Sequence, residues 1–352
     1  MSTRNKLLTA AAGLLLLALG ILLRHPALPA PAISAGSAER SRSAHREDRE
    51  AVSPPRPKLP RRAKDFQTFV RLGSNGEFPK LTPQEIENYL RTRNRSAESL
   101  LTAFRMSQDK AFLTEALEKF PNNPQVLFTA LQLSEDPAKR LSLLESLKRA
   151  DPDNGVANCL AARCLINLGK NDEAVAELLK CSGKPIKDFT TDFFQNAEEA
   201  YLSAGFSPVE AKMAGLYSTP KPMLFQMAHW KNLDEIRRNY ESSGNVAGVQ
   251  SLRDIQSELG RSLQGTGLIV DSAVGIMYEK YAWKGIDTPE SAAYLQELEQ
   301  RKNTMNEGAK KITALMGTSS IPEGEWLLYF DRAKLFGEKA ANDWMLEKHP
   351  EL

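Results

Sequence analysis

Histidine is scarce in this chain, with four in 352 residues, and that scarcity removes much chemistry at the outset. His25, His45 and His349 lie near the two ends, and His229 stands alone beside Trp230, where a packed or half-exposed helical residue is the simpler reading than a ligand. The sequence holds no His-Glu-x-x-His, no Cys-x-x-Cys pair, no Gly-x-Ser-x-Gly turn and no phosphate-cradling loop, so the motifs that announce zinc hydrolases, serine hydrolases and nucleotide enzymes are missing. No metal, cofactor or small-molecule substrate is expected.

Cysteine is nearly absent too. Cys159, Cys164 and Cys181 are an odd number gathered in one short stretch, which rules out a disulfide framework of the kind that staples small secreted folds. They read as small apolar core residues. In an oxidising compartment either Cys159 or Cys164 could pair with Cys181 if adjacent helices bring them together. A strong excess of one charge is also lacking: 46 basic against 44 acidic residues leave +2. That balance is uneven, since residues 24–65 carry a basic surplus and the body after them is mildly acidic, which is not the pattern of a nucleic-acid binder.

What is present begins with one uncharged run, Leu7 to Leu23, preceded by Arg4 and Lys6 and closed by Arg24-His25-Pro26. Seventeen residues fall between the apolar core of a signal peptide and a full membrane span. The positive flank predicts a cytosolic N-terminus and a translocated body. The expectation is therefore a retained signal anchor at 1–23, with the body in a bacterial periplasm or cell envelope. The alternative is secretion after cleavage near Ala32 or Ala38. Residues 24–65, with seven prolines and almost no large apolar side chain, read as a disordered linker. Its end carries Arg56, Lys58, Arg61, Arg62 and Lys64, a cluster able to contact a polyanion such as lipid phosphate.

From Leu81 the pattern is one amphipathic helix after another, with almost no strand alternation. Thr82-Pro83-Gln84-Glu85 opens the first with a capping box. Helix pairs then close at Pro121, Pro152 and Pro185, spacings of 31 and 33 residues, which is the period of a helical solenoid. The unit from Gly155 to Pro185, with Asn158-Cys-Leu-Ala-Ala-Arg-Cys-Leu-Ile-Asn-Leu-Gly-Lys-Asn-Asp-Glu-Ala-Val-Ala-Glu-Leu-Leu-Lys-Cys181, resembles a tetratricopeptide repeat. Ala162 stands at a close-packing position, Leu165 fills the gap, Gly169 makes the turn, Ala174 sits at the crossing and Leu178 packs back. The aromatic and Leu-Gly signature of the family's first helix is replaced by Asn158, Ala161 and Ala162. The resemblance covers about residues 95–218, with a degenerate fourth unit turning at Gly205.

The fold class expected is all-α: a helical-hairpin solenoid at 66–218, then a helical bundle at 219–352. The most apolar stretch of the body, Gly267 to Trp283, reads as a central buried helix because Asp271, Glu279 and Lys280 forbid a membrane span. Pro322 is expected to open one last helix through Glu347. The resemblance implies that the first helix of each pair lines a groove, placing Val156, Cys159, Arg163, Ile166 and Asn167 on it, with Gln195 and Glu199 added by the next unit. Such a groove would hold a peptide of an envelope protein. The function expected is then a membrane-tethered scaffold for protein–protein interaction without catalysis. The alternative is an enzyme acting on cell-wall glycan through two carboxylates, for which Glu198-Glu199 or Glu323 with Glu325 are the candidates.

Overall fold

The computed structural model describes residues 79–218, 230–316 and 321–350, together with Val70. Among them lie fifteen helices and no strand. The first nine are α1 (Pro83–Thr92), α2 (Ala97–Ser107), α3 (Lys110–Lys119), α4 (Pro124–Leu133), α5 (Pro137–Ala150), α6 (Val156–Asn167), α7 (Asn171–Leu179), α8 (Thr190–Ser203) and α9 (Pro208–Ser218). The other six are α10 (Trp230–Ser242), α11 (Val246–Gln264), α12 (Ile269–Trp283), α13 (Pro289–Met316), α14 (Glu323–Phe336) and α15 (Glu338–Lys348). The N-terminal run Leu7–Leu23 and the basic cluster Arg56–Lys64 lie outside the described residues. No described helix is long and apolar enough to cross a membrane.

The starts are written in local chemistry. Thr82 and Glu85 form the expected capping box, with Glu85 Oε2 accepting from the Thr82 amide at 2.7 Å. Ser96, Asp109, Asn123 and Asp136 each cap the next helix through a side-chain oxygen, filling amide donors that would otherwise lack partners. Pro83, Pro124 and Pro137 occupy the first helical position, where a missing N–H costs nothing.

Through α9 the helices pack in adjacent pairs, α2 with α3, α4 with α5, α6 with α7 and α8 with α9. Gly169 and Gly205 turn the last two pairs with φ of 72° and 81°, a region where residues bearing a Cβ are strained. Ala162 and Leu165 of α6 and Ala174 and Leu178 of α7 are all buried. Beyond α9 the pairing tightens at the long hairpin of α11 and α12. Gly260 and Gly275 cross so closely that a Cβ on Gly275 would stand 2.4 Å from the Gly260 carbonyl oxygen.

α12 is the buried helix its composition predicts, with Val274, Ile276, Tyr278 and Ala282 in the core. The final segment departs from expectation. It is two helices, not one, because Gly337 takes φ 90° between α14 and α15. Its backbone there packs on Gly267: a Cβ on Gly337 would meet the Gly267 Cα at 2.8 Å. The Glu338 amide donates to the Gly267 carbonyl at 2.7 Å, and Glu338 Oε2 accepts from the Ile269 amide at 2.7 Å. The break in the last helix is thus fixed by the start of α12, some seventy residues earlier in sequence.

Candidate functional site

A helical array offers a groove when its first helices stand side by side with nothing between them. Here α8 packs on both α1 and α2, so the array curls back on itself. The Tyr89 hydroxyl donates to the Asn196 carbonyl at 3.3 Å, and the Tyr201 hydroxyl to the Pro79 carbonyl at 3.1 Å. Glu199 is ion-paired with Arg93, the residue that caps the end of α1. Inside this closure the Arg105 guanidinium lies 3.6 Å from the centre of the Phe193 ring and donates to Thr129 Oγ1 at 3.2 Å and Gln132 Oε1 at 3.3 Å. Burial pulls the Arg105 pKa down to about 10, against the opposing pull of Asp188. Arg105 is therefore a stacked cation joining α2, α4 and α8. Phe189, at φ 60° just before α8, completes the seal with an edge-to-face contact to Phe128 at 5.3 Å.

The residues expected to line a groove on α6 are placed differently. Val156 and Cys159 are core residues at 0% and 3% exposure, unavailable to a partner. Their face is covered by the C-terminal helices: Cys159, Ala162 and Ile166 share a crevice with Leu233 of α10, Leu259 of α11 and Tyr278 of α12. Arg163 is half-buried, and burial is the main cause lowering its pKa, with Arg140 second. Asn167 is exposed at the end of α6. Gln195 accepts from Lys334 of α14 and donates to Glu199 at 3.0 Å. The expectation of an open groove on α6 meets a surface already packed against the chain's own α10–α12, because the apolar faces of both halves have no other cover.

Of the carboxylates weighed for glycan chemistry, Glu198, Glu199 and Glu325 are held in ion pairs, and Glu323 is exposed. Glu198, buried, accepts from Lys212 and Lys334, each at 2.9 Å, and Lys212 also reaches Asp331 at 2.6 Å. Glu325 is held by Lys348 at 3.0 Å and His349 at 2.7 Å. The crevice on α6, and a second lined by Thr102, Arg105, Met106, Phe193 and Ala197, contain no carboxylate. Each has room for no more than about one water molecule.

Sequence reasoning missed one surface. α14 buries Trp326, Tyr329 and Phe330, stacked edge to face, yet leaves Leu328, Leu335 and Phe336 at 52%, 74% and 65% exposure. Leu328 and Leu335 are seven residues apart, on one stripe of the helix. Asp331 reaches Lys212 of α9, and Lys334 lies 5.5 Å from the Phe194 ring, whose backbone Gly215 of α9 approaches. α14 is thus held against α8 and α9, and Leu216 of α9, one turn beyond Lys212, is 39% exposed as well. The signal was available: α14 reads Trp-Leu-Leu-Tyr-Phe then Leu-Phe, too apolar all round for one buried face.

These features define a class, an all-α protein of paired helices whose inner face is filled by its own chain. Comparison with known proteins carries the assignment no further: no family model matches the chain, and no match is found among curated proteins or solved structures.

Proposed function

We propose that this chain is a helical-repeat scaffold, held at a membrane on the outer side by Leu7–Leu23, that recruits an envelope protein through the outward face of α14. The tetratricopeptide-like reading of residues 95–218 is supported by the paired helices, the Gly169 turn and the burial of the small residues Ala162 and Ala174. The observation that carries the recruiting surface is the exposed trio Leu328, Leu335 and Phe336, since clustered exposed apolar side chains of this size mark interaction sites on folded proteins. The closed inner face moves binding from the groove to this outer surface.

The test is capture from solubilised membranes with the tagged full chain and with Leu335→Asp combined with Phe336→Asp. The expected result is loss of the captured protein with an unchanged helical circular dichroism spectrum. Equal capture by the variant overturns the surface. Fractionation separately checks the tether: the full chain should sediment with membranes and a chain beginning at residue 66 should not.

A further inference from the structure

The two cysteines that meet in the fold are Cys159, one turn into α6, and Cys181, two residues past the end of α7. Their sulfurs stand 2.9 Å apart, and both residues are buried. The third, Cys164, is half-exposed, and five residues on it lies about 140° around the helix from Cys159. Proximity here is not left to a flexible loop. The segment after Cys181 is strapped to the start of α6 from several points: the Gly155 amide donates to the Pro185 carbonyl at 2.9 Å, Asn154 Nδ2 to the Lys187 carbonyl at 2.9 Å, and Lys184 Nζ to the Pro152 carbonyl at 2.8 Å. Ser182, in the same turn, donates to Glu258 of α11 at 2.6 Å. Cys181 itself points its sulfur at the Gly155 carbonyl, 3.4 Å away.

We propose that Cys159 and Cys181 are a disulfide-forming pair, and that Cys164 takes no part. The bond would close a loop over 22 residues of sequence separation, tying the two helices of the third pair where α10–α12 pack on them. The co-reactant is a disulfide, either a small molecule such as oxidised glutathione or an exchange protein. One cysteine, as thiolate, attacks a sulfur of that disulfide and releases one thiolate. The other cysteine then attacks the mixed disulfide, forms the Cys159–Cys181 bond and releases the second. Two cysteine thiols are oxidised and the co-reactant is reduced to two thiols, its released thiolates taking up, through water, the two protons the cysteines gave up. Because both sulfurs are buried, the exchange belongs to the folding chain, before the strap closes. The inference is independent of the membrane tether and of the α14 surface.

The experiment refolds the full chain in detergent with a glutathione redox mixture, denatures it in excess alkylating reagent and reads intact mass and peptide map. The expected product carries one alkyl group, on Cys164, with Cys159 and Cys181 joined. Cys164→Ser should keep the bond and take no alkyl group. Cys159→Ser should lose it and leave Cys181 alkylated, and adding reductant should lower the thermal midpoint of wild type but not of this variant. Three alkylated cysteines in a refolded, helical wild-type chain overturn the proposal, as does a map joining Cys164 to either partner. Should Cys159→Ser fail to fold, the wild-type map and Cys164→Ser decide the matter.

Discussion

At the residue scale the most unusual group is Asp271, in the first turn of α12 and 1% exposed. Its Oδ2 accepts from the Thr266 hydroxyl at 2.9 Å, while no hydrogen-bond partner reaches Oδ1 among the described residues. Burial pushes its pKa up to about 8, and the nearby carboxyls of Asp188 and Glu338 add to the push. Unfolded, the same carboxyl ionises near pH 4. Between about pH 4 and 8 the folded chain keeps a proton that the unfolded chain has released. The contribution to stability is therefore full below that window and is lost as pH rises through it. Glu177 has the opposite sign. Against the cost of its burial, hydrogen bonds from Lys148, Lys180 and Asn158 hold it at about 2, so its stabilisation is present above about pH 4.5 and lost only in acid. Urea midpoints measured at pH 5 and pH 8.5 should fall across the interval in wild type, and Asp271→Asn should flatten that fall. Identical slopes in both proteins would show that Asp271 does not titrate in this range.

Among elements, the α11–α12 hairpin carries the tightest constraint. Two helices approach this closely only where Cβ atoms are missing, and Gly260 and Gly275 supply that. The atom a Gly275 methyl would strike is backbone oxygen of Gly260, which cannot rotate away. Gly275→Ala should therefore cost about 1–3 kcal/mol as overpacking, read from chemical denaturation. Gly308, inside α13, has its nearest neighbour at 3.9 Å. Gly308→Ala should instead stabilise by about 0.5–1 kcal/mol through helix propensity. The same residue change with opposite signs separates close packing from propensity; two changes of the same sign would discredit the crossing.

For the whole molecule the question is what makes the paired helices and the C-terminal helices one body. Prominent among the contacts that do so are the apolar face of α6 against α10–α12, and the ion network of buried Glu198 and Lys212 with Lys334 and half-exposed Asp331 between α8, α9 and α14. Glu198 lies between lysines of α9 and α14, and Lys212 between carboxylates of α8 and α14, so each ties two other helices together. Removing Glu198 would leave two lysines facing a low-dielectric interior. Glu198→Ala should cost about 3 kcal/mol, the lower end for a broken buried pair because Asp331 still holds Lys212. A loss of a few tenths, as for a surface pair, would mean the network is solvated.

Much of this was legible in sequence. Capping residues, prolines at first helical positions and the Gly169 turn act within a few residues of themselves, so all-α architecture, most helix boundaries and the period of paired helices follow from the chain order alone. The break at Gly337 was not legible, because it depends on Gly267 seventy residues away. Nor was the fate of Val156 and Cys159. The α6 helix shows the same residues whether its face meets water, a peptide or α10–α12, and only the packing of distant elements, driven by apolar area with no other cover, selects among them. The choice of Cys159 over Cys164 as the neighbour of Cys181 belongs to the same kind: local sequence places two cysteines on α6 and the third just past α7, and the angular position of the first two relative to the strap between Asn154 and Lys187 decides which meets Cys181.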